Sequence, residues 1–166
     1  QLALDQFSTP APLAALVVLA AQVRPGDRVL EPSAGVGMLA VLAEGCGASL
    51  ALNELSDRRA GLLDGLFGGA SRTRLDAAHL GDLLPDAGQF HAVVMNPPFA
   101  GLGSHLLAGL QCLADGGRLA AIVPASALDD AGLRGLLGRW SRVVGALALP
   151  AGAFLKHGTS VETGLL

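Results

Sequence analysis

The chain has 166 residues, enough for one domain with a substantial core. Hydrophobic residues make up 51% and charged residues 15%, which excludes a disordered chain, and no apolar run is long enough to span a bilayer. The net charge of −3 excludes a broadly basic surface of the kind that grips nucleic acid by charge alone.

Residues 10–23 predict a helix, with Pro10 and Pro12 in its first turn and Thr9 or Ser8 as its cap. Pro25-Gly26-Asp27 is a turn, and residues 28–31 a short apolar strand. A tight loop over 32–37 leads into a helix over 38–44. Residues 48–53 predict a second strand, and Ser56 caps a helix running to about residue 67. A third strand covers 73–75, and a fourth covers 90–95 and is ended by Pro97. A helix over 104–113 precedes the turn Asp115-Gly116-Gly117. A fifth strand over 118–123, a helix over 128–140, a sixth strand over 143–149 and a last strand over 159–166 complete the chain. Strands alternate with helices, and the strands are near-continuous apolar runs. That pattern predicts a three-layer α/β fold with a mostly parallel, doubly wound sheet. No repeat, linker or internal boundary breaks residues 1–166, and both ends read as cut from a longer protein.

Cys46 and Cys112 lie far apart without metal-ligand spacing and read as reduced, buried small residues, consistent with a cytoplasmic protein. His79, His91, His105 and His157 are scattered, which fits surface or capping roles and no metal site. Trp140, beside Arg139 and Arg142, reads as packing a helix end, the alternative being a nucleic-acid contact. Lys156-His157 reads as a solvated loop or a phosphate contact.

Glu31-Pro32-Ser33-Ala34-Gly35-Val36-Gly37 joins the first strand to its helix. Glycines there allow a sharp turn and close approach to a ligand, and the following helix presents free N–H groups. Gly35, Gly37 and Ala40 also fit the dinucleotide pattern G-x-G-x-x-G/A. Glu54, at the end of the second strand, is placed to accept the two hydroxyls of a ribose. Asp76 follows the third strand, where a carboxylate can reach an adenine edge; a plain loop acid is the alternative.

Asn96-Pro97-Pro98-Phe99 ends the fourth strand beside the glycine loop. Pro97 keeps Asn96 out of helical geometry, and two prolines fix φ and remove two donors. The product is a rigid ledge offering the Asn96 side-chain oxygen, the Pro97 carbonyl and the Phe99 ring. An aromatic exocyclic amine is a poor nucleophile because its lone pair is delocalised. Two acceptors on its N–H bonds hold it and stabilise the charge that grows as it attacks. An aromatic face orients the ring, and alignment against a sulfonium methyl does the rest without a strong general base.

Gln6-Phe7-Ser8-Thr9-Pro10, the loop from Glu31 to Gly37, Asn53-Glu54, Asp76 and Asn96-Pro97-Pro98-Phe99 resemble, in this order, the motifs of amino-group DNA methyltransferases of the N6-adenine type in the gamma arrangement. Phe154, Gly158-Thr159 and Thr163 resemble a late motif whose aromatic packs near the target base. The resemblance implies a Rossmann-like methyltransferase fold, S-adenosylmethionine as cofactor and nucleic acid, DNA first, as partner. It implies Thr9 at the methionine end of the cofactor, and Glu31, Pro32, Ser33, Ala34, Gly35 and Gly37 along it. Asn53 with Glu54 would serve the ribose, and Asp76 with Ala77 the adenine. Asn96, Pro97 and Pro98 would hold the target amine, Phe99 would stack on it, and Phe154 would take the opposite face. More narrowly, the chain resembles the methyltransferase domain preceding a strawberry notch-type helicase in bacterial and phage proteins, which implies a fused helicase. Val36 departs from the Thr or Ser common in the family, and no target-recognition domain is present. Three other readings stand beside this one: a methyltransferase for RNA bases or protein glutamine, a catalytically weak cofactor-binding module assisting a fused motor, and a dehydrogenase.

Overall fold

The computed structural model describes residues 8–150, Gly152, Phe154 and 161–166. Its strands are β1 (Arg28–Glu31), β2 (Ser49–Asn53), β3 (Ser71–Thr73), β4 (Phe90–Met95), β5 (Leu113–Pro124), β6 (Leu147–Ala148) and β7 (Thr163–Leu165). Its helices are α1 (Ala11–Ala20), α2 (Met38–Gly45), α3 (Asp57–Leu66), α4 (Leu80–Leu83), α5 (Leu102–Gln111) and α6 (Ala131–Leu137), with single 3-10 turns at Ala77–His79 and Ala125–Leu128.

Successive residues of a strand point to opposite faces of a sheet. In β4, Val94 joins Leu13, Val17, Leu39, Leu63 and Phe67 in a core under α1, α2 and α3. Its neighbours Val93 and Met95 join Leu80, Leu106 and Leu137 in a second core under α4, α5 and α6. Ile122 and Val123 of β5 divide in the same way. A strand buried on both faces must be apolar throughout, which is why no alternation is visible in its sequence.

The sheet order is β3-β2-β1-β4-β5-β7-β6. Strands β1 to β5 pair in parallel, while β7 runs antiparallel between β5 and β6. The chain winds outward from β1 to β3 and then returns to place β4 on the other side of β1. The crevice at the carboxyl ends of β1 and β4 is therefore the switch point where ligands bind in such sheets. The three-layer, mostly parallel fold expected from the sequence is the fold observed.

Several local expectations are corrected. Neither Thr9 nor Ser8 caps α1; the capping position is Pro10, with no side-chain cap. Helix α1 stops at Ala20 rather than residue 23, and Gln22 turns to φ 49°. Ser56 precedes α3 but makes no side-chain cap. Strand β3 ends at Thr73, because the Asn53 side chain takes both the N–H and the carbonyl of Leu75, at 2.8 and 2.9 Å, in place of a strand neighbour. The helix expected over 128–140 breaks at Asp129, and Asp130 caps the remainder through Leu133 N–H at 3.0 Å. Only Leu147–Ala148 of the expected sixth strand pairs. The 3-10 turn at Ala77–His79 and α4 lie where the sequence shows no clear period.

Arg118 ties the far end of α1 to the sheet. Its Nε donates to the carbonyl of Ala21 at 2.7 Å and its terminal nitrogen to Asp27 at 2.6 Å. Asp27 also accepts from the Arg24 N–H at 3.0 Å. Arg118→Met is expected to lower unfolding free energy by about 1–2 kcal/mol, because two charge-assisted bonds are lost and the Ala21 carbonyl and Asp27 lose a partner. Urea denaturation checks this; an unchanged midpoint would show that the clamp contributes nothing.

Candidate active site

The loop after β1 is shaped by two glycines at positive φ, Gly35 at 58° and Gly37 at 82°. Gly37 has no alternative residue. A Cβ there would lie 2.5 Å from Phe67 Cε2 and 3.0 Å from Leu63 Cδ2. Gly35 is the reverse case, since a Cβ there would meet nothing within 4 Å. Its backbone faces open space, as a wall that a ligand approaches must. Pro32 and Ala34 are buried, and Ser33 is half-buried.

Two neighbouring residues at the end of β2 hold this loop. Glu54 is 3% exposed and accepts the N–H of Gly35 at 2.8 Å on one oxygen and that of Ser56 at 2.8 Å on the other. Each oxygen keeps a further lone pair for a ligand hydroxyl. Asn53 is 1% exposed and uses its whole amide. Its Nδ2 donates to the carbonyls of Pro32 and Leu75, at 2.8 and 2.9 Å. Its Oδ1 accepts from Thr73 Oγ1 and Leu75 N–H, both at 2.8 Å. No donor or acceptor of that side chain is left for a ligand, so Asn53 braces the loops rather than touching what they hold.

Glu31 is 3% exposed, and its Oε2 has no hydrogen-bond partner. Burial pushes its carboxyl well above the ordinary glutamate range; the Ala40 N–H opposes this, and the nearby Glu54 charge adds to it. A buried oxygen without a partner, at the crevice end of β1, is costly unless it meets a donor.

Asn96 follows β4 directly, half-buried, with Pro97 buried and Pro98 and Phe99 half-buried. The Asn96 Nδ2 donates to Thr9 Oγ1 at 3.1 Å across 87 positions of sequence. Thr9, in the segment leading into α1, is 9% exposed. The chain leaves the ledge through Gly101 at φ 69°, which opens α5.

Asp76 is exposed after β3 and accepts the Ala78 N–H at 3.0 Å, with His79 Nδ1 at 3.3 Å. These contacts, the backbone N–H first, hold its carboxyl below the usual range. Ala77 beside it is half-buried. His105 on α5 was expected at the surface or in a cap. It is instead 9% exposed with an unpartnered Nδ1, and burial lowers its pKa. Its place on the buried stripe of α5 with Leu106, Ala108 and Gly109 is the signal that locates it. Phe154 is 3% exposed and packs into the core under α1 to α3 rather than standing open to a base. Thr163 is buried in β7. Gln6, Phe7, Lys156, His157, Gly158 and Thr159 lie outside the described residues.

The structure thus brings Thr9, the glycine loop, Glu31, Glu54 and the Asn96 ledge to the carboxyl edge of β1, β2 and β4, with Asp76 following β3. Among the described residues no helix is long and apolar enough to cross a membrane.

No family model and no curated protein sequence matches the chain, so the finer resemblance to a strawberry notch-type protein and its helicase gains no support. Solved structures do match. TrmN from Thermus thermophilus aligns with TM-score 0.69 and 25% identity, over 93% of this chain and 47% of that one. A type I restriction-modification system methyltransferase subunit from Streptococcus thermophilus aligns with TM-score 0.77 and 19% identity, over 96% and 44%. A TehB-like S-adenosylmethionine-dependent methyltransferase from Corynebacterium glutamicum aligns with TM-score 0.63 and 17% identity, over 92% and 84%. The chain spans about half the length of the first two. The fold is the Rossmann-like fold of S-adenosylmethionine-dependent methyltransferases.

Gly37→Ala is expected to cost about 2–3 kcal/mol, from a strained backbone and a methyl driven into Phe67, with urea denaturation as the check. Glu31 makes stability depend on pH. Its raised folded-state pKa means that stability is fully present below the ordinary value of 4.5 and is lost as pH rises through the folded value. Glu31→Gln is therefore expected to melt with the parent at pH 4 and increasingly above it as pH rises from 4.5. Parallel melting curves at every pH would contradict the buried, uncharged carboxyl.

Proposed function

We propose that the chain transfers a methyl group from S-adenosylmethionine to an exocyclic amino nitrogen, with N6 of adenine in DNA as the acceptor. The observation that carries this reading is the 3.1 Å bond from Asn96 Nδ2 to Thr9 Oγ1. It commits one N–H of the amide to the protein, sets the side chain's orientation and leaves Oδ1 as an acceptor at the ledge. The Pro97 carbonyl is the second acceptor, since two consecutive prolines bring no N–H of their own. An amine presented there gives one N–H to each oxygen. Both oxygens draw the nitrogen toward tetrahedral geometry and stabilise its growing positive charge. Phe99 supplies the stacking face. As the N–C bond forms, the methyl's bond to sulfur would break and the sulfur would leave as a neutral thioether; the methylated nitrogen, now positively charged and acidic, loses its proton to solvent.

The residues fit the cofactor. Gly35 offers open backbone, Glu31 an orphan oxygen, and Glu54 two oxygens with spare lone pairs. The Thr9 hydroxyl accepts from Asn96 and still has its own O–H to donate. Thr9, Glu31 and the loop from Ser33 to Gly37 would hold the methionine end, Glu54 the ribose, and Asp76 with Ala77 the adenine. Bound there, the cofactor supplies an electrophilic sulfonium methyl. The protein's own contribution is alignment and fixed dipoles. In duplex DNA the target base must first leave the stack.

The likeness to a restriction-modification methyltransferase subunit supports a DNA acceptor. The reading is tested by incorporation of labelled methyl into DNA, RNA and protein acceptors in parallel. DNA is expected to be labelled, with the label in N6-methyladenine. Asn96→Ala is expected to lower the rate about 10²–10³-fold while S-adenosylmethionine affinity stays within a few-fold of the parent. Labelled RNA or glutamine instead would move the acceptor and keep the ledge; full activity of Asn96→Ala would overturn the mechanism.

A further inference from the structure

Charge is unevenly divided along the chain. Residues 131–161 hold four of the eleven cations, Arg134, Arg139, Arg142 and Lys156, and none of the fourteen acids. The rest carries seven cations against fourteen acids, so an acidic body bears one basic segment.

Within that segment the chain leaves α6 through Arg139-Trp140-Ser141-Arg142. Trp140, expected to pack a helix end, is 59% exposed. Its backbone N–H and that of Ser141 donate to the carbonyl of Leu137, at 3.0 and 2.9 Å, and Ser141 Oγ donates to the same carbonyl at 3.0 Å, which anchors the backbone here. Val143, Val144 and Leu147 continue the exposed apolar surface. Arg28, Arg72, Arg74 and Arg118 each pair with an aspartate. The side chains of Arg139 and Arg142 have no hydrogen-bond or ion-pair partner among the described residues. An open indole flanked in sequence by two exposed, unpaired guanidiniums asks for a partner with both a planar face and negative charge.

We infer that Arg139, Trp140 and Arg142 form a docking platform for a single-stranded polynucleotide, the indole stacking on a base and the guanidiniums holding flanking phosphates. A single strand is required because a duplex hides the base faces that an indole stacks on. Phosphates complement the unpaired guanidiniums, and every base has a π-face. The platform goes beyond the proposed methyl transfer. It adds a grip on residues that play no part in the ledge.

The test uses a built-in probe. The chain has one Trp and no Tyr, so tryptophan emission reports on this patch alone. The 166-residue chain is titrated with oligothymidylate of about twenty nucleotides, and with the matching oligouridylate. Neither base has an exocyclic amine, so binding does not require the ledge, and failure here is separable from failure of the methyl-transfer reading. Saturable quenching by either polymer is expected, with affinity falling as salt rises at a log–log slope of about −1.4, the value for two phosphates on a single strand. The double variant Arg139→Glu, Arg142→Glu is expected to bind at least about tenfold more weakly with unchanged circular dichroism and melting, since both residues are exposed. Trp140→Leu, followed with a labelled oligonucleotide, is expected to lose at least about fivefold. Three results would overturn the inference: no quenching at low salt, undiminished binding by the charge-reversed variant, or a blue shift that grows with protein concentration without oligonucleotide, which would make the patch a contact between copies of the chain.

Discussion

The site depends on one buried amide. Asn53 joins the exits of three parallel strands with four hydrogen bonds, to the loop after β1 through Pro32, and to Thr73 and Leu75 at the end of β3. A parallel sheet fixes its strands by ladders but leaves the chain ends beyond them loose, each with backbone groups to satisfy. A side chain with two donors and two acceptors satisfies them from one point and sets their spacing. Glu54 then stands one residue further on, with the Gly35 N–H on its carboxylate. Asp76 follows one residue after the segment Asn53 has captured. Glu54 and Asp76 are thus aligned by a residue whose own donors and acceptors are all used within the protein. A smaller or apolar side chain at Asn53 would orphan several buried groups at once, which is costlier than losing any one contact.

A second constraint reaches the same crevice from the opposite side. Helix α1 is anchored at its far end, where Arg118 holds the Ala21 carbonyl and Asp27. Its near end delivers Thr9 to Asn96. The ledge amide is oriented through a rigid element clamped at the other edge of the sheet, not by a local turn. This separates stability from chemistry: the clamp lies at the amino ends of the strands, the acceptors at their carboxyl ends, and a helix of ten residues, about 15 Å long, connects them.

The sheet and the ledge were legible in the sequence because each rests on local signals. The runs at Arg28–Glu31 and Phe90–Met95 match the observed strands residue for residue, since doubly buried strands must be apolar and Pro97 stops the second. Glycines at positions 35 and 37 announced a sharp turn, and both make it at positive φ. What was hidden rests on long-range contacts. Nothing local marks Thr9 as a partner of Asn96 rather than a cap, and nothing local ends β3 at Thr73, because the cause sits in Asn53. The break at Asp129 was missed because apolar residues on both sides keep a helical period, while the Asp130 cap decides where the helix restarts. His105 and Trp140 were misplaced for one reason. Composition says which residue types are usually buried, and both of these depart from the usual.

The two carboxyls at the crevice show how position rather than residue type assigns roles. Glu31 and Glu54 end adjacent strands and are equally buried, at 3% each. Glu54 meets two backbone N–H groups, so its oxygens are fixed in direction and its lone pairs point where the loop allows. Glu31 has one oxygen without a partner, and burial raises its pKa well above the ordinary glutamate range. Filling both places with identical, doubly bonded carboxylates would put two charges side by side in a dry crevice, where mutual repulsion is strong. A raised pKa at Glu31 eases that repulsion. The sequence shows only two glutamates. The division of labour comes from which of them the backbone reaches.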